Sequence, residues 1–264
     1  MRRLTIFCLL LPVMALFINN APPEEAKSEM VYINVHEDMV MPSKVFEYEA
    51  ACKKLKKLCV DNGIQDVEWL TVSLSDFRYW HVNRISKLGD LDKDYFASLS
   101  EKIGEEELNK LWDEFDQCYT THRNFTAALD KNLSYMPNGF KVSGKDNPYT
   151  FFQVVEFDAR NMSKMKDVAK KIQNLHASVK SPLHFRMYHS GYGEMGPYLL
   201  VVTSGKDAVD VHTRMDKARE MMGEKRKEIM KEALAIMTGY SEFTGSAEPE
   251  LSYGVVDIAK ASTE

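Results

Sequence analysis

A short phrase that recurs at a fixed distance constrains this chain more than any other feature. Phe125-Thr126 is followed by Leu133-Ser134-Tyr135, and Phe243-Thr244 by Leu251-Ser252-Tyr253, so every pair is offset by 118 positions (243 − 125, 251 − 133). The same offset lays Val31-Tyr32-Ile33-Asn34-Val35 over Tyr149-Thr150-Phe151-Phe152-Gln153. It also lays Leu111, Phe115 and Cys118 over Ile229, Ala233 and Ile236. A unit of roughly 110 residues is the size of one small domain, and the spacing predicts a tandem duplication of such a unit. With 264 residues and 44% hydrophobic content, the chain can bury one large core or two ordinary ones.

Charge narrows the partners. Lys plus Arg number 34 against 39 for Asp plus Glu, a net charge of −5; without Arg2 and Arg3 the balance is 32 against 39, or −7. A mildly acidic, mixed surface lacks the basic field that nucleic acid or an anionic membrane selects. Met1-Arg2-Arg3 followed by the apolar run Leu4 to Ile18 has the charged start and short apolar core of a signal peptide. The expectation is an exported protein, periplasmic or secreted, with no stable membrane span after processing; an uncleaved anchor stays open. Cys52, Cys59 and Cys118 would remain, an odd number that argues against a disulfide framework.

Along the chain, residues 1–21 read as the signal peptide, 22–29 as a disordered lead-in, 30–136 as the first unit, 137–148 as a turn-rich linker, 149–255 as the second unit and 256–264 as a tail. Val31 to His36 alternates apolar and polar residues, the period of a strand. A helix from Pro42 to about Asn62 follows and stops at Gly63. Glu68 to Ser73 and Arg78 to Arg84 read as strands, and Leu108, Leu111, Trp112, Phe115 and Cys118 as one helical face. The second unit repeats that order: strand Tyr149 to Asp158, helix Met162 to Lys180, strands His184 to His189 and Tyr198 to Thr203, then a helix from Ala208 to Met237. Leu-Ser-Tyr reads as a short edge strand closing each unit.

Strand, helix, strand, strand, helix is most of a split βαβ layout. The order, the unit size, the strands carrying Trp69 and Tyr188 and the Leu-Ser-Tyr endings resemble the dimeric alpha/beta-barrel superfamily of ferredoxin-like domains. Within it the likeness is to antibiotic-biosynthesis-monooxygenase-like and NIPSNAP-like proteins, over most of residues 30–255. The resemblance implies an α+β fold of two ferredoxin-like (βαββα) repeats packed sheet-to-sheet as a pseudo-dimeric α/β barrel, either a monomer or a homodimer. The superfamily includes cofactor-free oxygenases, haem-binding enzymes, isomerases and domains without a known reaction, so it does not select an activity.

The site expectation rests on which strand faces meet between the halves. If helices cover Val31, Ile33 and Val35, then Tyr32, Asn34 and His36 look into the enclosure. Trp69, Thr71, Tyr79 and His81 share that side, or Leu70, Val72, Trp80 and Val82 do instead. In the second half the choice lies between His184, Arg186, Tyr188 and Phe185, Met187, His189. The nominated lining is Tyr32, Asn34, His36, Trp69, Tyr79, His81, Arg186, Tyr188 and His189, around a small apolar or aromatic ligand. A one-residue slip would exchange the sets. No histidine pair or His-carboxylate set has metal spacing along the chain, and no cofactor is predicted; haem, which needs one histidine, is left open. Ser190-Gly191-Tyr192-Gly193 lacks the Lys-Ser/Thr of a phosphate loop and reads as a hairpin turn. The methionine run Met215, Met221, Met222, Met230 and Met237 reads as adaptable core. Three function classes stand: a ligand-binding protein, an oxygenase or haem-active enzyme, and a structural protein with a filled interface.

Overall fold

The computed structural model describes residues 30–140 and 144–254; the leader, the lead-in, the tail and part of the linker lie outside them. Eight strands form one closed antiparallel barrel in the order β1-β3-β2-β8-β5-β7-β6-β4. They are β1 (Met30–Val40), β2 (Leu70–Leu74), β3 (Arg78–Ile85), β4 (Tyr119–Asp130), β5 (Tyr149–Phe157), β6 (Arg186–Ser190), β7 (Tyr198–Gly205) and β8 (Met237–Ala247). Among the described residues five α-helices lie outside: α1 (Val45–Asp61), α2 (Ala97–Ile103), α3 (Glu105–Asp116), α4 (Met162–Ser178) and α5 (Ala208–Leu234). No helix among the described residues is long and apolar enough to cross a membrane.

This arrangement corrects the expected pair of ferredoxin-like βαββα sheets stacked face to face. The halves are joined edge to edge, β2 to β8 and β4 to β6, into a single closed sheet. Each half ends in a long fourth strand rather than a short one at Leu-Ser-Tyr. Closure leaves no free strand edge, so every strand finds two hydrogen-bonded neighbours. The sequence hides β4 and β8 because neither alternates cleanly: β4 begins with the exposed run Thr120 to Asn124, and β8 carries Gly239 and Gly245. Their pairing with β1 and β5, along nearly the whole strand in each case, makes them strands.

The Leu-Ser-Tyr phrases clasp the halves instead. Tyr135 bridges Phe185, and Tyr253 bridges Trp69. Two glycines mark the seams. A Cβ on Gly245 would stand 2.7 Å from the Ser73 carbonyl oxygen across β2–β8. Gly193 holds φ of +89°, and a Cβ there would meet the Asn124 carbonyl oxygen at 2.5 Å. The Ser190–Gly193 turn is therefore a continuation of the β4–β6 seam, with Tyr192 exchanging hydrogen bonds with Thr126.

The period-two pattern sends Val31, Ile33 and Val35 inward, where they join Val72, Trp80, Val82, Phe125, Phe152 and Tyr188. An eight-stranded barrel is just wide enough for such side chains to fill it. Trp80 meets Phe125, Phe152 and Phe243 at ring separations of 5.3 to 5.6 Å. The outer face of the first half packs under α1 to α3 through Tyr48, Leu55, Trp69, Tyr79, Leu111 and Phe115, with Cys52, Cys59 and Cys118 buried among them. That of the second half packs under α4 and α5, whose Met165, Met215 and Met222 are buried.

Candidate functional site

Register assembles a polar wall on the helix-facing side of the first half. His36 lies opposite His81 on β3 and Asn124 on β4, Asn34 lies opposite Asn83, and Asp38 lies opposite His122. Residues directly opposite share a face, so these side chains converge. Leu55 of α1, Phe96, and Trp112 and Phe115 of α3 form the apolar side of the same space, with Trp69, Tyr95 and Tyr119 beside them. The cavity measures about 450 Å³, within the range of small-molecule sites.

A hydrogen-bonded chain stiffens the wall. The Tyr48 hydroxyl, fully buried on the inner stripe of α1, donates to Asp38 Oδ2 at 2.5 Å and lies 2.8 Å from His81 Nε2. Thr71 Oγ1 donates to the Leu251 carbonyl at 3.1 Å and sits 3.0 Å from His81 Nδ1, which must therefore carry the proton of that bond. One phenolic proton thus faces two acceptors, Asp38 and His81. Burial pushes the His81 imidazole down to about 4, with Asp38 acting in the opposite sense. For Asp38, burial favours the neutral acid, but His36 and the Tyr48 hydrogen bond outweigh it and hold the carboxyl below its ordinary value. For His36, burial favours the neutral ring, and Asp38 with Asn124 overrides it and holds the imidazole above its usual value. Asn34 donates to Asn83 at 3.2 Å, while its own Oδ1 is buried with no hydrogen-bond partner.

Of the residues nominated from sequence, Asn34, His36, Trp69 and His81 come together here, but under the helices and not between the halves. The helices cover the Asn34 and His36 face, and Val31, Ile33 and Val35 point inward, the reverse of the expected assignment. Tyr79 shares the outer face but is packed beneath α1, its ring 4.8 Å from that of Tyr48 and its hydroxyl bonded to Glu49. Tyr32 is exposed at the end of β1. Arg186 and Tyr188 do face the barrel interior, whose remaining space is about 200 Å³. His189 points away from that space and bonds to Asp130 at 3.0 Å.

Asp38, Tyr48, Asn83, His122 and Asn124 are not among the lining nominated from sequence. Two signals were present: His36-x-Asp38 puts both groups on one strand face, and Tyr48 places a hydroxyl in an otherwise apolar helix stripe, where it needs a partner. His122 gave none, because it is brought to Asp38 only by the β1–β4 register.

A second helix-side cavity, about 390 Å³, lies beneath α4 and α5. Its lining includes Met165, Met187, Met215, Met222, Met230 and Met237, so most of the methionine run faces an open space. His176 projects into it from α4; its Nδ1 is buried without a partner, and burial, with the nearby Arg226, lowers the ring to about 4.

No protein-family model and no curated protein matches the chain. Solved structures do resemble it. An anthrone oxidase-like protein aligns at TM-score 0.57 and 14% identity, over 85% of this chain and 92% of its own. A candidate monooxygenase from Lactobacillus acidophilus NCFM aligns at 0.50 and 10%, over 83% and 93%. Another from Fusobacterium nucleatum aligns at 0.51 and 12%, over 83% and 92%. At these identities the likeness is one of fold. The chain shares its fold with these three proteins.

Proposed function

We propose that this protein binds a flat aromatic molecule in the cavity between the outer face of β1, β3 and β4 and helices α1 to α3, and oxidises it with dioxygen. The observation that carries this reading is the division of the cavity into two sides. Trp69, Tyr95, Phe96, Trp112 and Phe115 offer ring faces, while Asn34 and Asn83 offer hydrogen bonds along one edge. The Asn34 Oδ1, buried and unpartnered, is an acceptor awaiting a ligand hydroxyl. The barrel interior, largely filled by Trp80 and its ring neighbours, has less room. The oxidation part draws on the fold neighbours, described as an anthrone oxidase-like protein and candidate monooxygenases.

For a tricyclic ketone such as anthrone, the ring methylene would lose two hydrogens and gain one oxygen atom, the second oxygen atom leaving as water. Anthrone titrated into the protein should quench tryptophan emission saturably, since Trp69 and Trp112 line the site, and oxygen uptake should follow its addition. Asn83→Phe, which fills the cavity, should abolish both. Quenching that is linear, or unchanged in the filled variant, would overturn the reading. Oxygen uptake no faster than in buffer would remove the oxidation and leave binding.

We also propose that the offset of 118 positions marks a duplicated unit, a reading supported by the identical pairing order of the halves, β4-β1-β3-β2 and β8-β5-β7-β6. Export is likewise proposed, on Met1-Arg2-Arg3 and the apolar run after it. Fractionation of cells producing the full chain tests it: recovery of full-length material from the cytosol alone would refute it.

A further inference from the structure

The geometry points to a mononuclear site for a divalent transition metal at the rim of the first-half cavity, held by His36, Asp38 and His122. One ligand atom from each lies within 4.8 Å of the others. This goes beyond the aromatic-ligand reading and does not rest on it.

The relationship between His36 and Asp38 carries most of the weight. His36 Nε2 stands 3.0 Å from Asp38 Oδ1, an ion pair when the ring is protonated, and that oxygen is buried with no well-aligned hydrogen bond. Asp38 is 3% exposed. Two ligands at about 2.1 Å from one metal and at right angles are separated by about 3.0 Å, the spacing of neighbouring positions around a six-coordinate ion. The two atoms already stand at that separation.

The other atom of each candidate ligand is engaged so as to free the ligating one. His36 Nδ1 lies 3.0 Å from Asn124 Oδ1, an oxygen that can only accept, so Nδ1 carries a proton and Nε2 is the ring nitrogen left to a metal, which would displace any proton shared with Asp38. Asp38 Oδ2 accepts from Tyr48, leaving Oδ1. Tyr119 donates its hydroxyl proton to Asp116, so its oxygen accepts from His122 Nδ1 at 3.2 Å, which frees His122 Nε2. Partners that fix ring orientation and tautomer in this way accompany metal-binding histidines. His122 is exposed and can turn to close the remaining distance. Two imidazoles and one carboxylate favour ions such as Fe²⁺, Co²⁺ or Zn²⁺ over Mg²⁺ or Ca²⁺, and a three-residue set leaves positions open toward the cavity.

The test uses untagged full chain stripped with chelator and titrated with Co²⁺, followed by visible absorption and by the thermal midpoint. Saturable d–d bands at one equivalent per chain, displaced by Zn²⁺, are expected, together with a raised midpoint. His122→Ala, a change at an exposed position, should weaken Co²⁺ binding at least tenfold while circular dichroism stays unchanged. Asn124→Leu, which touches no metal, should weaken it about 10- to 100-fold. No absorption change at millimolar Co²⁺, or equal affinity in wild type and His122→Ala, overturns the site. Anthrone quenching in the chelator-treated protein is measured separately, so failure of the metal site and failure of the aromatic site are told apart.

Discussion

Ser252 Oγ accepts the backbone N–H of Thr71 at 2.9 Å, tying the last turn of the described chain to a strand 181 positions earlier. The same hydroxyl donates to the Glu248 carbonyl at 2.7 Å. At the other seam Ser134 Oγ accepts the Met187 N–H at 2.9 Å and donates to the Asp130 carbonyl at 2.6 Å. The middle residue of the repeated phrase is thus a clasp used once at each junction. Each Ser→Ala replacement should cost about 1–2 kcal/mol, because it strands a backbone amide at a seam. The two sites are independent, so the double variant should lose close to the sum in urea denaturation; no loss in either would remove the clasp.

Gly245 tests the seam itself. The β2–β8 junction has three residue pairs, Val72 with Ala247, Ser73 with Ser246 and Leu74 with Gly245. An added methyl there meets backbone oxygen, which cannot swing away. Gly245→Ala should destabilise by about 2 kcal/mol, read as a lowered denaturation midpoint, whereas Gly196→Ala, with open space around it, should be near neutral.

Glu37 closes one end of the barrel interior. Its carboxylate accepts from Trp80 Nε1 at 2.5 Å, Arg78 at 3.0 Å and Arg123 at 2.7 Å. Burial works against the charge, but the Arg123 and Trp80 bonds outweigh it and keep the carboxyl below its ordinary value. Glu37→Ala leaves the Trp80 N–H and the Arg78 guanidinium without their partner in a largely dry site, and should cost about 3 kcal/mol. A variant as stable as the parent in equilibrium denaturation would refute the account.

His176 predicts acid sensitivity. Its ring is lowered to about 4 by burial, with Arg226 adding to the effect, whereas the unfolded chain takes up the proton near pH 6.5. Stability from this group is therefore full above pH 6.5, falls as the pH drops through that value and levels off near pH 4. Between pH 7 and 5 the loss should be about 2 kcal/mol. His176→Phe should flatten that part of the pH–stability curve; an unchanged slope would assign the dependence elsewhere.

Much was legible in the residues alone. The alternation in Val31 to His36, the apolar stripes of α1, α3 and α4 and the stop at Gly63 are local patterns, fixed by strand and helix periodicity and turn chemistry. β4 and β8 were not, since their polar stretches and glycines become strand only when β1 and β5 supply hydrogen bonds.

The sequence by itself determined that β1 has two unlike faces, one of Val31, Ile33 and Val35 and one of Asn34, His36 and Asp38. Only the tertiary structure decided which face turns inward. A period of two distinguishes the faces without orienting them, and orientation came with closure, since a narrow eight-stranded interior takes the apolar set and leaves the polar set to the roomier space beneath the helices. The meeting of Asp38 with His122 likewise belongs to cross-strand register, which no local spacing encodes.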